Sequence, residues 1–80
     1  MMFMADDKEI RRHEIEIEIE SLNIQMKAKR FDRYSDAEKM QFIQKQIDLF
    51  TELKSLAGFM DQIKINTMIS ILNTALKKMK

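Results

Sequence analysis

The chain has no proline and a single glycine, Gly58, in 80 residues. Those two residue types supply many of the tight turns that a β-rich fold of this length would need. Their near absence predicts few chain reversals, and so a small number of long helices. The longest helical pattern runs from Ser35 to Ile63 and organises the rest. Ser35 followed three residues later by Glu38 is a capping-box pattern: the serine oxygen accepts an orphan N–H of the first turn, and the glutamate reaches back. Apolar residues then fall in two adjoining stripes. Phe42, Leu49, Leu53, Leu56 and Met60 make one; Ile43, Ile47, Phe50 and Ala57 make the other. At about 100° per residue the stripes merge into one broad arc, which implies contact with more than one neighbour.

Residues 14–20 carry two readings. Ile15, Ile17 and Ile19 alternate with Glu14, Glu16, Glu18 and Glu20, and strict alternation of β-branched residues is a strand signal. A strand needs a partner for its backbone, and the nearest candidate, Ile63–Asn66, is distant and short. An isolated two-stranded hairpin is only marginally stable. On a helix, Ile10, Ile17, Ile24 and Phe31 recur every seven residues along one face. Ile15, Ile19, Leu22 and Met26 fall on a second, nearly opposite face. Such a helix packs one side within its own subunit and offers the other to a second subunit. The i,i+4 pairs Glu14–Glu18 and Glu16–Glu20 cost about a few tenths of a kcal/mol each. The absence of turns and of a partner strand favours the helix.

The first helix is expected over about 6–32, opened by Asp6 or Asp7 after a loose or partner-packed leader, 1–5. The second is expected over 35–57, with helical character extending to 63. A short connection between them implies an antiparallel hairpin, with Phe31 and Tyr34 closing the core at the bend. The alternative for these aromatics, beside Lys27, Lys29, Arg30 and Arg33, is stacking on nucleic acid. Gly58 is expected to end the second helix in a left-handed conformation or to kink it, the alternative being close approach of another helix. Asn66 or Thr67 then starts a third helix over 66–79, with Ile65, Met68, Ile69, Leu72, Leu76 and Met79 on its apolar side. Ile71 and Ala75 broaden that side.

Eighty residues make one domain, modest in the surface it buries. There is no cysteine to add a disulfide or a thiolate metal site, so oligomerisation is expected to supply the missing burial. At 45% hydrophobic and 34% charged, the chain is too apolar for full disorder. No apolar run reaches the roughly 20 residues of a transmembrane span. MMFM runs straight into acids without a basic region, unlike a signal peptide, and a cytoplasmic location is the default. The net charge of +1 hides a gradient: residues 1–20 carry seven acids and three bases, and residues 61–80 one acid and four bases. Acids at the start of a first helix and bases at the end of a last one suit the helix dipole. The alternative is a basic binding surface made of Lys27, Lys29, Arg30, Arg33, Lys77, Lys78 and Lys80.

Chemistry-bearing motifs are missing. His13 stands alone without a second His or a Cys to complete a zinc set, and HEIEI lacks the second histidine of the helical zinc-protease motif. There is no phosphate-cradling Gly-rich loop. The serines have no histidine partner, and the abundant acids read as solvated. Of eight methionines, those in the helices read as core filler, with an adaptable groove the lesser alternative. No catalytic, cofactor or metal residue is assigned.

After an acidic helix, RFDRYSDAEKMQFIQKQIDLFTELKSLAGFM resembles small all-helical proteins of tailed bacteriophages and related mobile elements. The matching positions are Phe31, Ser35, Glu38, Gln46, Leu49 and Leu53, within a likeness that covers roughly residues 14–60. The chain departs from that pattern in its Ile-Glu alternation, where those proteins more often carry leucine heptads, and in its third amphipathic segment. The resemblance implies an accessory protein that binds and modulates another macromolecule, and it carries no chemistry to transfer.

The expected fold is all-α: an antiparallel helical hairpin plus a shorter C-terminal helix, assembled as an oligomeric, coiled-coil-like bundle. The expected function is non-enzymatic protein binding, through Ile10, Ile17, Ile24 and Phe31 or through Ile69, Leu72 and Leu76 of the third helix. The rivals are a nucleic-acid binder using the basic residues, and a peripheral membrane protein using MMFM or the third helix.

Overall fold

The computed structural model describes residues 7–79. Three α-helices follow one another: α1 (Asp7–Lys27), α2 (Asp36–Leu56) and α3 (Phe59–Met79). A 3-10 turn, Lys29–Arg33, joins the first two. No strand occurs among the described residues, and the Ile-Glu alternation lies wholly within α1. The leader and Lys80 lie outside the described residues.

The cap of α2 follows from local chemistry. The Ser35 hydroxyl oxygen accepts from the Glu38 N–H at 3.2 Å, and the Glu38 carboxylate accepts from the Ser35 N–H at 3.4 Å. α1 stops at Lys27, earlier than position 32, because the chain tightens into i→i+3 bonds: Phe31 N–H donates to Ala28 O, and Tyr34 N–H to Phe31 O. That turn swings Phe31 off the outer line of α1 and into a ring cluster. Phe31 meets Phe42 edge-on with centroids 5.5 Å apart, and Tyr34 stacks on Phe42 at 5.6 Å. The Lys39 ammonium sits 5.7 Å from the Phe31 centroid, within cation–π range. These aromatics close the bend of the hairpin.

α3 starts at Phe59, seven residues before the position that Asn66 suggested. Gly58 is the reason. Its carbonyl accepts the first helical bond, from Gln62 N–H at 2.9 Å, which makes it the N-cap of α3. Its φ is not positive, so the left-handed helix ending expected of it is absent. α2 ends instead at Leu56, with Ala57 N–H bonded to Lys54 O. Asn66 and Thr67 lie inside the helix, where the Thr67 hydroxyl donates to the Ile63 carbonyl. All three helices therefore have the same length, 21 residues.

The broad arc of α2 is covered from two directions. Leu49 and Leu53 pack with Ile15, Ile19 and Leu22 of α1, joined by Ile65 of α3. Ile43 and Ile47 pack with Leu72 and Leu76 of α3. Half-buried Phe50 and Ile69 touch both groups. Burying each such side chain contributes about 1.5–3 kcal/mol. The helices run up, down and up, so α1 and α3 are parallel to each other and antiparallel to α2. Both flank α2 and have little contact with one another. The bundle is open, built on its middle helix.

Candidate functional site

α1 turns two apolar faces in nearly opposite directions. Ile15 is 0% exposed and Ile19 and Leu22 are buried against α2. Two positions along from Ile15 and about 200° around the helix, Ile17 is 56% exposed. Ile10 and Ile24 are also exposed, above and below it. Seven residues correspond to about 10.5 Å of rise, so the three isoleucines form a narrow line of knobs along the outer side. Glu14 and Glu20 stand beside that line, one on each flank. Phe31, grouped with them by spacing, is separated by the 3-10 turn and taken into the ring cluster.

On α3, Leu72 and Leu76 are buried and Ile69 is half-buried against α2. The side of α3 that its sequence pattern offers as a partner face is thus taken up inside the chain, because α2 has a second stripe that only α3 can cover. The open side of α3 is the opposite one, with Phe59, Met60, Ile63 and Ile71 exposed. Ile71 borders a shallow trough whose lining includes Thr67, Ser70 and Thr74 and which runs on to Lys78. Sequence reasoning missed this face. The available signal was Ile71, which the sequence pattern assigns to the core side as a broadening residue and which stands instead on the open side, 56% exposed.

The basic residues named from the sequence are brought to one end. Lys27 closes α1; Lys29, Arg30 and Arg33 lie in the 3-10 turn; Lys77 and Lys78 close α3. All are exposed. The up-down-up topology places the ends of α1 and α3 beside the start of α2. Asp32, Asp36 and Glu38 lie at the same end, so the positive surplus is partial. Helix C-termini carry negative partial charge, and lysines there offset it.

Two polar contacts fix α1 on α2. Gln46 is 3% exposed, and its side-chain N–H donates to the Asn23 side-chain oxygen. Buried polar groups need such a partner. Gln46 falls within the stripe Phe42–Leu49–Leu53, so its burial was readable from helical position though not from residue type. Nearer the start of α1, Arg11 grips Glu52 with both arms: Nε donates to Oε2 at 2.6 Å and Nη2 to Oε1 at 2.8 Å. Those hydrogen bonds hold the Glu52 carboxyl below its ordinary range, against a smaller opposing effect of burial. The same bonds raise Arg11. Both side chains remain solvent-exposed, so water screens the pair.

Among the described residues, no three His, Asp or Glu side chains converge as metal ligands. No described helix is long and apolar enough to cross a membrane. Comparison with protein-family models, with curated proteins and with solved structures returned no match. The class that the fold defines is an open, all-α three-helix bundle.

Proposed function

We propose that this chain is a non-enzymatic interaction protein, an accessory or modulator of another macromolecule, working through the outer side of α1. The observation that carries this reading is the line Ile10, Ile17 and Ile24. Three large aliphatic side chains stand in water in register, on a helix whose other side already fills the core. Single exposed apolar residues are ordinary, whereas an aligned row rimmed by charge is the usual form of a helix-docking surface. We extend the same reading to a phage-borne origin and a host-cell cytoplasm, on the sequence pattern of residues 14–60 alone. The test is affinity capture from a native lysate on the wild-type chain and on an Ile17→Arg variant, with circular dichroism confirming equal helix content. Proteins held by the wild type and released by the variant support the reading. Equal retention by both chains refutes it.

A second reading rests on the gathering of Lys27, Lys29, Arg30, Arg33, Lys77 and Lys78 at one end. Such a surface binds phosphate backbones with strong salt dependence. Fluorescence anisotropy with a labelled duplex and a labelled single strand at low salt tests it, and unchanged anisotropy at both removes it.

A further inference from the structure

We infer that the outer line of α1 is covered by the outer side of α3 from a second copy of this chain. This deepens the interaction reading and rests on it, since it names the occupant of the same surface. The two faces are unlike and complementary. The middle of the α1 line is rimmed by Glu14 and Glu20; Arg12 and His13 stand in the groove beside Ile10, and the next base is Lys27 at the end of the helix. The outer side of α3 carries Lys64, Lys77 and Lys78 and no acid, because its one carboxylate, Asp61, lies around towards the core side. Two copies meeting α1 on α1 would set acids against acids, and α3 on α3 would set lysines against lysines. Only the crossed contact pairs opposite charges.

Shape agrees with charge. Thr67, Ser70, Ile71 and Thr74 stand at i, i+3, i+4 and i+7 around the trough on α3. That is the spacing of the hole that receives one knob from a facing helix. Small side chains on its floor leave room for an isoleucine, and α1 offers isoleucines one heptad apart. Direction follows from the ends. Running α1 against α3 in opposite senses turns Lys77 and Lys78 towards the N-terminal half of α1 and its glutamates, and opposes the two helix dipoles.

Within one chain the two faces point away from α2 on opposite flanks, so a copy cannot satisfy its own. The contact is head-to-tail, and it grows into a ring or an open series rather than stopping at a two-fold dimer. A single helix-on-helix contact sits at the small end of specific interfaces, which puts its affinity on the order of micromolar.

Sedimentation velocity on the full chain and two variants tests this. Ile17→Arg blocks the α1 face and Ile71→Asp blocks the α3 face; both sites are exposed, and circular dichroism checks that each variant folds. The wild type should grow past a dimer as concentration rises. Each variant alone should lose at least about tenfold in self-affinity, because an unpaired charge is buried at the contact. Mixed together, the variants should form a 1:1 pair and stop, since each keeps the face that the other lacks. Self-association of Ile71→Asp at wild-type strength would mean an α1-on-α1 contact and overturn the inference. Self-association of Ile17→Arg at that strength would mean an α3-on-α3 contact and overturn it equally. A wild type that stays monomeric also overturns it. In that case the capture experiment separately decides whether α1 serves a different protein.

Discussion

Replacing Ile15 with alanine, and separately Ile17 with alanine, sets one residue type on one helix in two opposite environments. Ile15 is 0% exposed, among Ile19, Leu22, Leu49, Leu53 and Ile65. Truncation to alanine removes three carbons, worth about 0.8 kcal/mol each in transfer from water, and leaves a cavity that neighbours only partly fill. Core Ile→Ala changes cost about 2–5 kcal/mol. Alanine returns a few tenths through helix propensity. The net loss expected is about 3 kcal/mol, a large share of the roughly 4–12 kcal/mol typical of a chain this size. Ile17→Ala removes little buried area in the single chain and should fall within about 0.5 kcal/mol of neutral. The assay is urea denaturation followed by far-ultraviolet circular dichroism, at a concentration where sedimentation shows only monomer. With a slope of about 1 kcal/mol/M for a small domain, the midpoints should differ by about 3 M. If alanine at 15 leaves too little folded protein to measure, Ile15→Val should cost about 1 kcal/mol and remain readable. In a strand, residues 15 and 17 would share a face and the two losses would match. Equal losses, or a larger one at Ile17, would refute the helix and its orientation.

Three further outcomes can be checked in the same apparatus. Gln46→Ala, which loses the bond to Asn23 and empties a buried site, should cost about 1–3 kcal/mol, whereas Gln46→Leu should cost less because it refills that volume while exposed Asn23 turns to water in either variant; the reverse order would contradict the burial of position 46. Gly58→Asp should stabilise by about 0.5–1 kcal/mol, since a carboxylate improves the N-cap of α3, the unfolded chain loses freedom, and nothing lies within 4 Å of an added Cβ. A destabilised Gly58→Asp chain would remove Gly58 from the cap. Glu52 has a lowered carboxyl value in the folded chain, so its contribution is present above the unfolded carboxylate value and lost as pH falls through the folded one. The wild type should therefore lose stability faster than Glu52→Gln on acidification below the usual carboxylate range, and parallel pH profiles would count against the Arg11–Glu52 grip.

What could be read from the sequence was what local chemistry decides. Ser35 and Glu38 cap α2 with their own side chains, so that boundary is written in residue types. The two stripes of α2 announce two neighbours, and both neighbours are there. The helix over 14–20 follows from what is missing around it and not from its own propensities. The start of α3 could not be read, because Gly58 caps it with a backbone carbonyl that every residue possesses. The end of α1 at Lys27 was hidden for another reason. The seven-residue spacing carries the outer line on to Phe31, but Phe42, distant in sequence, draws that ring away. The open face of α3 was masked by its own better-patterned core side.

The ring cluster at the bend has a use beyond closing the core. Tyr34 is the only tyrosine and there is no tryptophan, and its ring is stacked on Phe42 from the next helix. To the red of the phenylalanine band, the protein's near-ultraviolet dichroism and its emission thus originate at one spot, where α1 and α2 join. α3 contributes to the far-ultraviolet signal and nothing to that one. The molecule carries its own two-channel optical readout, in which closure of the hairpin and docking of the last helix can be timed separately without attaching a dye.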